Sequence, residues 1–319
     1  THSIYFHNNK IHDNQCQSGI IICNTVNMLF DYNEVYNNAT NPAYTLTTSL
    51  EVTGNHATIR KNSLHDNTNG YTAAVLCRSG FIDISDNLIC NNQHIIGTCG
   101  YLDGGGGLMI SSNSPIPIDS TFYTVRNNVI ANNYSPFHGG GINVYQSPAV
   151  IANNQIVNNS SAVGAAIYFS STLPLPIKNN TFYGNSTAGS PLYPVYAVTA
   201  GIVKYDHNWT EHSFFQDCSL AAGYTLTSDT TTNIVGSSPG MVSPTLTASV
   251  SESAVASNFG LVGTSPCIDH GDSTGAFPDS TDYIGNPRIT GSSIDIGAYE
   301  YVSTTSVIPA PASQDNTMT

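Results

Sequence analysis

Charge is what this chain has least of. Only 9% of its 319 residues are charged, and the eight Lys and Arg are scattered, so no basic stripe exists to neutralise phosphates. That excludes nucleic acid as a partner. No apolar run reaches the 18 residues a membrane span needs, so no membrane span is expected. Helix-forming patterns are missing too: apolar residues do not recur at i, i+3, i+4, and segments such as Gly141-Ile142-Asn143-Val144-Tyr145 alternate instead. An initiator Met and a signal peptide are also absent, which reads as a mature, trimmed or fragmentary form.

What the chain has is Asn, Gly, Ser and Thr, arranged in a repeat. Asn9-Lys10-Ile11-His12-Asp13-Asn14 recurs as Asn33-Glu34-Val35-Tyr36-Asn37-Asn38 and Asn62-Ser63-Leu64-His65-Asp66-Asn67. Further copies begin at Asn87, Asn128, Asn154 and Asn180, and a degenerate one begins at His207. The intervals are 24, 29, 25, 41, 26, 26 and 27 residues. A fixed period of this size marks stacked units that bury their apolar faces only against one another. The third position is always apolar: Ile11, Val35, Leu64, Ile89, Ile130, Ile156, Phe182 and Trp209. It is expected to stack as one column facing a continuous core.

Strand, turn, strand, turn is the only local reading that fits such alternation with so many turn residues. The fold class is therefore all-β: a single parallel β-helix of about 8–11 coils. Asn9, Asn33, Asn62, Asn87, Asn128, Asn154 and Asn180 are expected to form a ladder at one turn, bonding to the coils above and below. At the strand spacing of about 4.8 Å, eight coils give a rod of roughly 40 Å. The expected organisation is repeats over 1–212, with a long insertion near 93–125. Degenerate coils and a closing cap follow over 213–302, and a Thr/Ser/Pro-rich extended tail over 303–319.

The repeats resemble those of right-handed parallel β-helix proteins of the pectate-lyase-like superfamily, and within it bacterial surface proteins with polymorphic-membrane-protein-like repeats. The likeness rests on Gly139-Gly140-Gly141-Ile142 leading through Ser147-Pro148 to Asn153-Asn154-Gln155-Ile156-Val157-Asn158-Asn159. It rests also on an ending that resembles the closing segment of secreted β-helices. That ending comprises Ser265-Pro266-Cys267-Ile268-Asp269-His270-Gly271-Asp272, Gly285-Asn286-Pro287-Arg288 and Asp295-Ile296-Gly297-Ala298-Tyr299-Glu300-Tyr301. The resemblance implies an extracellular or cell-surface location, and a superfamily that includes polysaccharide lyases, hydrolases and epimerases.

Chemistry is harder to find. Elimination from a uronate needs a cation and a base on one wall. The column two places before the ladder holds His7, Asp31, Arg60, Ser85, Arg126, Ala152, Lys178 and Tyr205, where Asp31 and Arg60 can meet but carboxylates do not gather. His12-Asp13 and His65-Asp66 share a phase, yet adjacent strand residues point to opposite faces. No catalytic residue is assigned. The acidic loop with Asp269, Asp272 and Asp282 is the one group of oxygens expected to be capable of holding Ca²⁺.

Seven cysteines leave at least one unpaired in an oxidising compartment. Cys77 with Cys99, and Cys218 with Cys267, are the candidate disulfides, against burial as small apolar thiols. Seven Asn-x-Ser/Thr sequons occur; Asn38, Asn133, Asn185 and Asn208 are the glycosylation candidates. The expected function is that of an extracellular structural β-helix of a surface layer or fibre. It would assemble end to end, with the C-terminal tail engaged on a neighbouring subunit. The alternative is a carbohydrate-active enzyme or carbohydrate-binding rod, with ligand along the face near Tyr101, Asp103, Tyr134 and Tyr145.

Overall fold

Asn and Asp tolerate the left-handed backbone better than other non-glycine residues, and this chain turns its corners with them. The computed structural model describes residues 3–40, 48–78, 80–95, 104–111, 122–187, 194–198, 202–212, 218–220, 225–227, 231–244, 257–274 and 280–303. Their strands pair in parallel throughout, forming sheets of 15, nine and seven strands. The protein is an all-β parallel solenoid.

One coil shows the plan. Ile142–Tyr145 lies on a first face, Ala149–Ala152 on a second, Gln155–Val157 on a third and Ser160–Val163 on a fourth. The next strand, Ile167–Ser170, returns in register beside Ile142–Tyr145. The first two faces belong to one sheet because Ile21–Asp31 and Thr48–Arg60 run through both without a break. The fourth face has seven strands and the third nine, so seven coils are complete and the solenoid continues past them on its other faces.

The predicted core column exists over seven positions. Ile11, Val35, Leu64, Ile89, Ile130, Ile156 and Phe182 pair successively along the third face. From Val35 to Ile156 they are fully buried. Burial of each such side chain stabilises the rod by about 1.5–3 kcal/mol. Trp209 departs from the expectation: it pairs with Thr181, not Phe182. The last repeat begins at Asn208, which continues the ladder, and not at His207. Trp209 therefore points away from the rod interior.

Two Asn ladders run the length of the coils. In the first, Asn62 Nδ2 donates to Asn87 Oδ1 at 2.9 Å and to the Phe30 carbonyl at 2.9 Å, while its backbone N–H donates to the same Asn87 oxygen. The pattern repeats from Asn9 through Asn33, Asn128, Asn154 and Asn180, and extends to Asn208 and Asn233. The second ladder links Asn14, Asn38, Asn67, Asn92, Asn133, Asn159 and Asn185. The left-handed residue of each corner is the one before the ladder Asn, for example Lys61, Asp86 and Asn127 at the first corner, and Asp66, Asn91 and Asn132 at the second.

This second ladder corrects the glycosylation candidates. Asn38, Asn133 and Asn185 are its members and Asn208 belongs to the first; all four are buried. Their Nδ2 atoms, where a sugar would be attached, donate to Ile11, Ile89, Ile156 and Ile177 carbonyls respectively. A glycan there has no room and would remove a ladder hydrogen.

Over the stretch expected to hold degenerate coils and a closing cap, the coils come first. Residues 218–220, 225–227 and Ile234–Val235 still extend the sheets. From Met241 onward the described residues, 241–244, 257–274 and 280–303, pack along the outside of the third face. The outer positions of that face change character along the rod: Lys10, Glu34 and Ser63 in the first coils, then Leu88 and Val129, with Cys90, Ala131 and Val157 in the neighbouring column. The apolar part packs with Trp209, Met241, Phe259, Leu261, Cys267, Ile296, Ala298 and Tyr299 into a second core. Gly297 N–H donates to the Asn179 carbonyl at 2.8 Å, Gln155 Nε2 to the Phe259 carbonyl at 3.0 Å, and Lys178 Nζ lies 3.1 Å from Asp272 Oδ2. The closing segment is thus a lateral cover.

The insertion fits the rod through its glycines. A Cβ on Gly106 would sit 2.5 Å from the Gly140 carbonyl oxygen, so only glycine lets the coils stack there. Of the expected insertion, residues 96–103 and 112–121, with Tyr101 and Asp103, lie outside the described residues, as does the tail from 304.

Candidate functional site

On the outside of the second face, the alternate residues that do not enter the core form three rows. One row is Ser3, Asn27, His56, Phe81 and Phe122; the next is Tyr5, Leu29, Thr58, Asp83 and Thr124; the third is His7, Asp31, Arg60, Ser85 and Arg126. Strand pleating sends these side chains outward and their neighbours Phe30, Ile59, Ile84 and Val125 inward. The first two rows line a groove of about 530 Å³.

Large aromatic rings stand in that groove uncovered: Tyr5 is 71% exposed, Phe81 42% and Phe122 39%. The His56 ring lies nearly parallel to Phe81, 5.2 Å between centroids. Three aromatic side chains gather in one patch rather than standing singly, which makes this groove the candidate site. Beside them the charges are mutually satisfied. Arg126 holds Asp83 through two bonds, Nε to Oδ1 at 3.0 Å and Nη2 to Oδ2 at 2.9 Å. Asp31, nearly buried, is bonded by His7 Nδ1 at 2.8 Å and by Arg60 Nη2 at 3.3 Å, the Asp31–Arg60 meeting expected from the sequence. The groove floor is therefore aromatic and hydroxylic, with ion pairs at its edge.

The His-Asp pairs sit elsewhere, on the outer third face of the first coils. The rings of His12, Tyr36 and His65 stack at 4.7 and 5.1 Å. His12 Nδ1 lies 2.6 Å from Asp13 Oδ2 and His65 Nδ1 2.7 Å from Asp66 Oδ2. Adjacent strand residues would face opposite ways, but Asp13 and Asp66 are the left-handed corner residues, at φ 54° and 53°, and the turn swings each carboxylate back to its histidine. Lys10 Nζ lies 2.6 Å from Glu34 Oε2, and its hydrogen bond holds the Glu34 carboxyl below the usual range. These groups partner one another and leave no nucleophile poised beside a base.

The acidic loop does not converge either. Asp282 accepts from the N–H groups of Ile284, Asn286 and Glu300, Asp269 from those of Ser292 and Ser293, and Asp272 from that of Thr274. The three carboxylates serve three separate turns, as Asp does in its ordinary capping role. Among the described residues, no group of three or more His, Cys, Asp or Glu side chains comes together as metal ligands. Cys77 and Cys267 are buried free thiols, while Cys99 and the side chain of Cys218 lie outside the described residues.

Sequence reasoning missed the groove because Phe81 and Phe122 lie outside the Asn-centred motif. The available signal was their shared phase, each five residues before the left-handed corner residue of its coil. No family model matches the chain, and no curated protein or solved structure matches it.

Proposed function

We propose that this chain is an extracellular, non-enzymatic β-solenoid scaffold that holds a glycan chain along its second face. The observation carrying the reading is the row of exposed aromatics in the groove, backed by Thr58, Thr124 and the Asp83–Arg126 pair. Sugar rings present an apolar face to an aromatic plane and hydroxyls to polar neighbours, and a concave site with a few placed polar groups suits that division. Successive coils offer such contacts at the strand spacing of about 4.8 Å, so an extended chain lying along the rod meets the same chemistry repeatedly. The resemblance to pectate-lyase-like β-helices and to bacterial surface repeats supports both the ligand class and the location.

Affinity electrophoresis through gels containing acidic or neutral polysaccharides tests this. Retardation by at least one polysaccharide is expected, weakened about tenfold or more in a Phe81→Ala/Phe122→Ala double variant. Mobility unchanged by every polysaccharide would sink the reading, and release of unsaturated or reducing ends would return the chain to the enzymes. End-to-end assembly, with the C-terminal tail engaged on a neighbouring subunit, is a separate proposal, checked by electron microscopy at several protein concentrations.

A further inference from the structure

The corner between the third and fourth faces carries a second row of polar side chains. Asp66, Asn91, Asn132 and Asn158 occupy successive coils there, all in the left-handed conformation. With Gln93 and Tyr134 they line a cavity of about 460 Å³, separate from the aromatic groove. Asn132 Nδ2 donates to Asn91 Oδ1 at 3.1 Å. Asn132 is only 8% exposed, yet its Oδ1 has no hydrogen-bond partner. A buried carbonyl oxygen without a donor is destabilising, and a ligand hydroxyl would offset that. Tyr134, between Gln93 and Ser160 in the adjoining row, stands 39% exposed at the edge of the same cavity.

The chemistry of the lining selects the ligand. A carboxamide offers a donor and an acceptor side by side, as does each sugar hydroxyl, and the corner repeats the carboxamide at one coil rise. No cation lines the cavity, and its one carboxylate, Asp66, is already engaged by His65 Nδ1. An anionic chain has nothing to neutralise it here. We infer that this corner is a second binding site, selective for neutral oligosaccharide, with Tyr134 as the stacking platform and the Asn row as the hydroxyl reader. The inference shares with the function proposed above the idea of a glycan-binding rod, but rests on different residues.

Titration calorimetry with cellohexaose, xylohexaose, mannohexaose and maltohexaose, on the wild type and on Tyr134→Ala and Phe122→Ala variants, tests both sites at once. Both substituted side chains are exposed, so thermal melts should match the wild type. The expected result is a site that Tyr134→Ala weakens about tenfold or more and Phe122→Ala leaves alone. Binding lost in Phe122→Ala and unchanged in Tyr134→Ala would overturn the corner site while sparing the groove. The reverse, which is the expected result, would uphold the corner, and the groove is judged by the polysaccharide gels. No heat from any of the four oligosaccharides would overturn the corner site outright, leaving the groove to the polysaccharide gels.

Discussion

Arg288 Nη1 lies 3.5 Å from Glu300 Oε1, with both side chains sealed inside the closing segment. Burial pushes the Glu300 carboxyl up to about 8, against the opposing pull of Arg288, and burial also raises neighbouring Asp295. Glu300 Oε1 accepts from the Asp295 N–H at 2.9 Å. A folded pKa above the unfolded one means that folding takes up a proton. The stability this contributes is complete below the ordinary Glu range and is lost as pH rises through about 8. Denaturant unfolding between pH 5 and 8 should therefore show wild-type stability falling by at most about 1.4 kcal/mol per pH unit from this group. Glu300→Gln, which keeps the acceptor, should flatten that slope, leaving the part due to Asp295. Parallel curves for the two proteins would refute the assignment.

The ladder makes a sharper demand on stability. Asn62→Ala removes the oxygen that accepts from Asn33 N–H and Nδ2, and the donor that meets the Phe30 carbonyl, all in the buried interior. Two or more orphaned groups should cost on the order of 3 kcal/mol or more. Asn9→Ala, on the exposed first coil, should cost below about 1 kcal/mol. Equal urea midpoints for the two variants would show that the ladder's worth does not depend on burial.

The coil was legible in the sequence because stacking makes one residue type recur at one phase: Ile89 could be placed from Leu64, and Asn87 from Asn62. What lies across the rod's outer wall was not. The cover over the third face joins residues about a hundred positions apart, such as Gln155 and Phe259, and no period encodes that contact. A trace was present in Leu88, Val129 and Val157, apolar at phases where the earlier coils carry Glu34, Ser63 and Tyr36. The sequons misled for a related reason. Asn-x-Ser/Thr is a local signal, and the Nδ2 atoms of Asn38 and Asn133 are spent on coils 26 to 44 residues away.

Trp209 is the chain's single tryptophan and is fully buried beneath the closing segment, so its emission reports whether that segment is seated. Gly297 sits at φ +107°, and a Cβ there would lie 2.6 Å from Gln155 Oε1 and 2.8 Å from Thr181 Oγ1. Gly297→Ala should cost about 1–3 kcal/mol in backbone strain alone and loosen the cover. A red-shifted, acrylamide-accessible tryptophan is the expected result, with the solenoid's far-ultraviolet β signal retained. Unaltered emission and an unaltered melt would mean that the segment accommodates the methyl group and is not held at this point.

The thiols separate by burial, and alkylation should sort them. Burial pushes the Cys267 thiol up to about 12 and raises that of Cys77 strongly as well; both side chains are inaccessible. Cys16, whose Sγ donates to the Ser18 carbonyl at 3.0 Å, is partly exposed on the first coil. Only the thiolate is a nucleophile, so in the reduced, folded protein iodoacetamide near pH 8 should modify Cys16 within minutes and spare Cys77 and Cys267. In urea above the unfolding midpoint the three should react alike. Peptide mapping by mass spectrometry reads the order, and the same map made without reduction examines the pairing expected from the repeat phase. A Cys77–Cys99 bridged peptide would restore that pairing. Prompt labelling of Cys77 in the folded protein would show instead that the coils on either side of it, those of Val52 and Ile110, open on the timescale of the reaction, contrary to a core sealed by two Asn ladders.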